Sequence, residues 1–231
     1  MTATPSGALR HPWSVTPAEA ILLQRALKGR VSLMPRLRPP RTIAGADISM
    51  PRFGRRAAAA VVVFSWPGLE MVEESLAAGK LGFPYVPGLL SFREGPLLEK
   101  ALQGLRRKPD LLLVDGQGIA HPRGLGIASH MGLRLGLCTV GCAKSRLWGE
   151  ETEPPPARGG WSPLRNPDGG VVGAVLRTRT GVKPIYVSPG HGIDLEGAIR
   201  WTLAAAPRYR IPEPLRAAHI RANEERRRLG L

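Results

Sequence analysis

At 231 residues and 43% hydrophobic content, the chain is long enough to bury one sizeable core, and 22% charged residues is too ordinary a share for a disordered polyelectrolyte. Its 33 Lys and Arg against 18 Asp and Glu leave a net charge of +15, which favours a polyanionic partner such as nucleic acid over a merely solubilising surface. Two cysteines, Cys138 and Cys142, are too few for a disulfide scaffold, and no apolar run reaches the ~18 residues that a membrane span needs.

Residues 1–14 carry no hydrophobic periodicity and read as a flexible N-terminal arm, ahead of a single domain over 15–222 and a basic tail at 223–231. The arm has no apolar signal-peptide region, so the expected compartment is the cytoplasm, with both cysteines as buried thiols. Thr16-Pro17-Ala18-Glu19 is a helix start: a capping Thr, Pro at the first position and Glu three residues on from the cap. That helix is expected to run to about Val31, followed by a Pro-rich link from Pro35 to Pro40. Three extended runs, Thr42 to Ser49, Ala57 to Trp66 and Leu69 to Ala77, suggest an antiparallel meander turning at Trp66-Pro67-Gly68. Gly82 to Phe92 reads as a loop, and a helix from about Arg93 to Leu105 would point Leu97, Leu98, Ala101, Leu102 and Leu105 inward.

Asp110 to Asp115 is an almost wholly apolar strand of the kind buried on both faces. A helix over Leu125 to Leu135 and a strand over Leu137 to Gly141 follow. Residues 150–168, rich in Pro, Gly and Arg, read as a surface insertion. Strands at Gly170 to Arg177 and Pro184 to Val187, a helix at Leu195 to Ala205 and a last helix from about Pro214 into Arg226-Arg227-Arg228 complete the chain. The exposed end of that helix is a candidate phosphate contact, against the plainer reading of a solvated charge run. This order predicts an α/β fold: a ribonuclease-H-like mixed sheet, antiparallel meander plus parallel strands, flanked by helices. The comparison is one of order alone.

The acids fall in costly places. Asp47 lies inside a strand, Asp115 ends a central one, and Glu94 sits in the expected first turn of a helix. Each alone has a plain explanation: an edge or capping residue, a turn before Gly116, a charge suited to a helix N-terminus. If the three converge, mutual repulsion raises their proton affinity, and a divalent cation such as Mg²⁺, which takes hard oxygen ligands, relieves it. Gly116-Gln117-Gly118 after a strand lacks the third glycine of a dinucleotide fingerprint, and there is no phosphate-binding G-x-x-x-x-G-K-[ST] loop. Pro84 and Pro87 stiffen the loop around Tyr85, which suits either a turn with a buried Tyr or an aromatic that fills the gap left by an unstacked base.

Several segments resemble motifs of the endonuclease V family. Gly45-Ala46-Asp47-Ile48-Ser49 is similar to its first-strand motif. Pro84-Tyr85-Val86-Pro87-Gly88-Leu89-Leu90-Ser91-Phe92-Arg93-Glu94 is similar to its wedge loop and following acid. Val114 to Arg123, continued by Gly126-Ile127-Ala128-Ser129-His130, resembles its longest signature. Ala143-Lys144-Ser145, Ser188-Pro189-Gly190-His191 and Ile211-Pro212-Glu213-Pro214 resemble later motifs, in order, over about residues 15 to 220. Asp47 is followed by Ile48-Ser49-Met50, whereas many family members place an aromatic near Met50, and Cys142 stands where a small apolar residue is commoner.

The resemblance implies a ribonuclease-H-like fold and a divalent metal, Mg²⁺ with Mn²⁺ as the second candidate. The implied partner is DNA containing deaminated bases, with inosine RNA as the alternative, and the protein would act as a monomer without a membrane. The implied reaction is a nick at the second phosphodiester bond 3′ to deoxyinosine, leaving a 5′-phosphate and a 3′-hydroxyl. By motif, Asp47, Glu94 and Asp115 would hold the metal. Lys144 would face the scissile phosphate, and His219 in the last helix would position the metal or its water. Pro84, Tyr85, Val86 and Pro87 would form the wedge, and Leu90, Gly116, Ile127 and Gly141 the base pocket. His121 and His191, loop residues near Gly and Pro, are candidate substrate contacts. Other readings are an inosine-specific endoribonuclease, a related nuclease of branched or hybrid substrates, and a non-catalytic nucleic-acid-binding protein on the same fold. All three acids are present, which argues against the last.

Overall fold

The computed structural model describes residues 11–35, 38–51 and 54–231. Helix α1 (Pro17–Lys28) begins at the capping box read from the sequence: Thr16 Oγ1 accepts the Glu19 N–H at 3.3 Å, and Glu19 Oε2 accepts the Thr16 N–H at 2.7 Å. The meander follows. β1 (Thr42–Ser49), β2 (Arg56–Ser65) and β3 (Met71–Lys80) pair antiparallel in sequence. Ala57 to Val63 of β2 are all buried, because the strand lies between β1 and β3 with helices over both faces. Leu69, expected in β3, takes φ 51° in the preceding turn, so the strand starts at Met71.

Helix α2 (Leu90–Gln103) starts three residues earlier than its polar Arg93 suggested, because the Phe92 N–H already bonds the Leu89 carbonyl at 3.1 Å. Glu94 therefore sits in the second turn, not the first. β4 (Leu111–Val114), α3 (Ile127–Leu135) and β5 (Cys138–Ala143) follow, and β1, β4 and β5 run parallel. β6 (Trp161–Arg165), β7 (Val171–Leu176) and β8 (Ile185–His191) add antiparallel strands, and α4 (Leu195–Ala204) and α5 (Glu213–Arg228) close the chain. The eight-stranded sheet has the order β3-β2-β1-β4-β5-β8-β7-β6.

Alternation along β1 and β4 sorts residues between two cores. Ala44, Ala46, Leu112 and Val114 pack with α2 and α3, while Ile43, Leu111 and Leu113 pack towards Ala198 of α4 and Leu215 of α5. Gly45 belongs to the second face. A Cβ there would fall 2.2 Å from the Pro214 carbonyl, so its absence lets α5 cross directly over β1.

Three expectations change. The segment 150–168 contributes the edge strand β6 to the sheet and is tied to it also by the Glu150–Arg165 bridge. The last helix runs into the basic residues as expected, to Arg228, which pairs with Glu225 at 2.7 Å. Within residues 11–14, assigned to the arm, His11 and Trp13 are packed: His11 Nε2 stands 2.6 Å from His130 Nε2, and Trp13 donates to Glu99 at 2.6 Å and lies under Arg134, while residues 1–10 are outside the described residues. β8 runs on through His191, which is a strand residue and not a loop one. Among the described residues no helix is long and apolar enough to cross a membrane.

Candidate active site

The parallel pairing of β1 with β4 brings two of the acids together. Ala46 pairs with Val114 and the Asp115 N–H bonds the Ala46 carbonyl at 3.1 Å, so Asp47 and Asp115 leave neighbouring strands at the same level. Both continue the odd-numbered parity that faces α5. Glu94 reaches the same place from α2, and all three line one cavity of about 440 Å³. Burial, reinforced by Asp47 and Asp115, pushes the Glu94 carboxyl up to about 8. Asp47 is raised too, by burial first and then by Asp115.

Two cationic or polar partners offset this repulsion. Lys144, just past β5, puts Nζ 2.5 Å from Asp115 Oδ2. His219 of α5 puts Nδ1 2.6 Å from Asp47 Oδ2. Asn223 stands 3.2 Å from the other ring nitrogen, and its amide can only donate to it, so the ring accepts at Nε2 and donates from Nδ1 to the carboxylate. Asn223 also accepts from Ser49 Oγ at 2.8 Å, which links α5 back to the end of β1. With Asp115 turned to Lys144 and Asp47 to His219, no three such donors among the described residues are gathered as a ready-made cage.

Above the acids lies the loop of the two prolines. Tyr85 is 72% exposed, while Phe83 beneath it is buried with Leu89 and Phe92. The loop is clamped at the Gly88 carbonyl, which accepts from Gln24 Nε2 at 2.9 Å, His121 Nε2 at 2.9 Å and Arg123 Nη2 at 2.8 Å. His121 accepts the Arg123 N–H at Nδ1, and burial brings its pKa down to about 4, so the ring is neutral at pH 7. It lines the cavity, yet both nitrogens are engaged with the protein. Tyr85, Val86 and Pro87 line the cavity as well; Pro84 is exposed outside it.

The remaining expected residues divide. Leu90, Gly116 and Ile127 line the cavity. Gly116 takes φ +145°, and a Cβ there would meet Ile127 Cγ2 at 2.6 Å, so both conformation and space call for glycine. Gly141 is beneath the cavity, where a Cβ would strike the Gly118 nitrogen at 2.4 Å; it supports the 116–118 turn from below. His191 lies in a second cavity with Arg38, Lys108 and Asp110, and its Nδ1 accepts the Ser32 N–H at 3.2 Å, which takes it away from the acids. Two residues beside the site belong to no motif: Gln24 and Asn223 sit on helices, where only their contacts mark them. Gln117, which also lines the cavity, lies within the Val114 to Arg123 signature, where nothing in the sequence distinguishes it.

Two parallel strands that each deliver an aspartate, a helix that adds a glutamate, and an exposed aromatic loop beside them define a nuclease of the ribonuclease-H-like fold. The family model described as Endonuclease V matches residues 25–220. Endonuclease V of Roseiflexus sp. (strain RS-1) is 49% identical over 216 residues, covering 94% of this chain and 96% of its own. The crystal structure of endonuclease V from Streptomyces avermitilis superposes with a TM-score of 0.90 at 40% identity, covering 97% of this chain and 100% of that one. Endonuclease V of Ciona intestinalis, in complex with a 24mer DNA containing an inosine followed by a ribo-adenosine, superposes at 0.80 with 26% identity over 92% of this chain and 98% of that one. The chain belongs to the endonuclease V family and is a nuclease acting on phosphodiester bonds.

Proposed function

We propose that this chain nicks one strand of DNA beside deoxyinosine, at the second phosphodiester bond on the 3′ side, leaving a 5′-phosphate and a 3′-hydroxyl. The observation that carries the reading is the meeting of Asp47, Glu94 and Asp115 in one cavity under the exposed Tyr85 loop. The inosine-containing DNA held by the Ciona intestinalis relative supports the choice of lesion.

The donor set suits a divalent cation. Carboxylates crowded enough to raise the proton affinity of Asp47 and Glu94 are hard oxygen donors with charge to be neutralised. Asp47, Glu94 and Asp115 would hold Mg²⁺, or Mn²⁺ in its place. Such an ion, when bound, supplies Lewis acidity towards the phosphate and lowers the pKa of water. Lys144, now on Asp115, is within reach to face the scissile phosphate. His219, fixed by Asp47 and Asn223, holds a proton at Nδ1 and an acceptor at Nε2 beside the acids. Pro84 to Pro87 would act as the wedge, with Tyr85 taking the place of the displaced base. Leu90, Gly116 and Ile127 would wall the base, and His121 would hold the wedge loop in place.

All these groups come from one chain, which suits action as a monomer, and two cysteines, too few for a disulfide scaffold, suit the cytoplasm. Inosine RNA is the second candidate substrate, since the same cavity would admit the same base.

The reading is tested with a labelled deoxyinosine duplex and Mg²⁺. Asp47→Ala and Asp115→Ala should each lower the rate by about a thousandfold or more while retaining lesion binding. EDTA should stop the native chain. Cutting at the native rate by either variant would overturn the assignment.

A further inference from the structure

Lys144 hangs from the end of a strand. The ladder between β5 and β8 closes with Ala143 opposite Tyr186, so Lys144 lies one residue past the last paired position. Its side chain is 42% exposed, and Nζ lies 2.5 Å from Asp115 Oδ2. A lysine ammonium is a point charge on a flexible four-carbon stem, so where it settles depends on how firmly the backbone at its root is held. Arg210, in the segment between α4 and α5, holds that root. Its Nη2 donates to the Lys144 carbonyl at 3.1 Å and to the Pro184 carbonyl at 2.9 Å, and its Nε donates to the Lys183 carbonyl at 2.8 Å. The planar fork thus bridges the outgoing end of β5 and the incoming end of β8, where the ladder has stopped.

Arg210 is anchored independently of that fork. Its own carbonyl accepts from Thr178 Oγ1 at 2.6 Å, and Thr178 is 1% exposed. The entry to α5 is closed by the Glu213 N–H on the Ala205 carbonyl at 2.7 Å. Neither bond uses the guanidinium, so α5, with His219, is placed without it. We infer that Arg210 is a positioning residue for cutting: through the Lys144 carbonyl it fixes the point from which the ammonium reaches Asp115 and the scissile phosphate. Misplacing a group by about 1 Å at a reacting centre can cost on the order of a hundredfold in rate. The inference rests on the reading of Lys144 as the group that faces the scissile phosphate, and adds the residue that places it.

The test measures single-turnover cutting of a deoxyinosine duplex with Mg²⁺, and affinity for the same duplex in EDTA. It compares the native chain, Arg210→Met, Arg210→Lys, Lys144→Met, and Arg210→Met combined with Lys144→Met. Arg210→Met should cut about tenfold or more slowly while binding within about twofold of the native chain. In the Lys144→Met background the same substitution should cost less than about twofold, because the group it places is gone. Arg210→Lys keeps the charge but not the fork, guards against a variant that fails to fold, and should still cut at least about threefold more slowly. Native rates in both Arg210 variants would overturn the inference. So would a full further loss on top of Lys144→Met, or a loss of binding as large as the loss of rate, either of which marks a side chain that only supports the fold. A Lys144→Met variant that cuts at the native rate refutes the reading of Lys144 itself, and is seen without touching Arg210.

Discussion

Tyr85 is an apolar ring left 72% exposed between two prolines, while its neighbours Phe83 and Val86 pack inward. Folding gains little from it, and substituting an exposed side chain shifts stability by about 0.5 kcal/mol at most. Stacking against nucleic-acid bases is worth about 1–3 kcal/mol per base. Tyr85→Ala should therefore leave Tm nearly unchanged and weaken binding to deoxyinosine DNA about tenfold or more, read by titration of a labelled duplex; unchanged affinity would remove the wedge role. Residue types at this scale were legible where chemistry is unusual: an acid in a strand, an aromatic between prolines. Gln24 and Asn223 were not, because an amide in sequence says nothing of what it will meet. The three donors on the Gly88 carbonyl come from α1 and the segment following β4, far apart in the chain. His191 illustrates the reverse error: its Ser-Pro-Gly-His surroundings look like a loop, but the strand carries it to the other end of the sheet from the acids.

Gly45 is the point where two elements touch. Its missing Cβ admits the backbone of Pro214 and Leu215, and one helical turn further along α5 is His219, on Asp47. Gly45→Val should cost about 3 kcal/mol and displace His219 from Asp47. Thermal denaturation of the variant checks the first, and an altered pH profile of cutting checks the second; native values for both would show that α5 is placed by something else. The central strands and the capping box of α1 were readable because each is a local pattern: a continuous apolar run for β4, Thr16 with Glu19 for the helix. The start of α2 was not, since it has no side-chain cap and is set by the turn at Leu89. The edge strand β6 was hidden by its Pro163 and flanking glycines, which read as loop and are tolerated at a sheet edge.

For the whole molecule, the order of meander and parallel strands could be read from the sequence, and the parity of β1 against β4 then accounts for Asp47 and Asp115 standing side by side. That register needs the paired strands and is absent from spacing along the chain, so the meeting of the acids had to await the structure. The net charge of +15 belongs to this scale too. Association with undamaged DNA should weaken by about a thousandfold between low and moderate salt if some six phosphates are neutralised, as measured by anisotropy; a flat response would detach the charge from nucleic-acid binding. The most direct measurement is the cutting of a labelled duplex with a single deoxyinosine, with Mg²⁺ and with EDTA, beside an undamaged duplex and an inosine RNA. A single Mg²⁺-dependent nick at the second phosphodiester bond 3′ to the lesion, absent from the undamaged duplex, is the expected result. Tight binding of the deoxyinosine duplex with no cutting in any lane would contradict it.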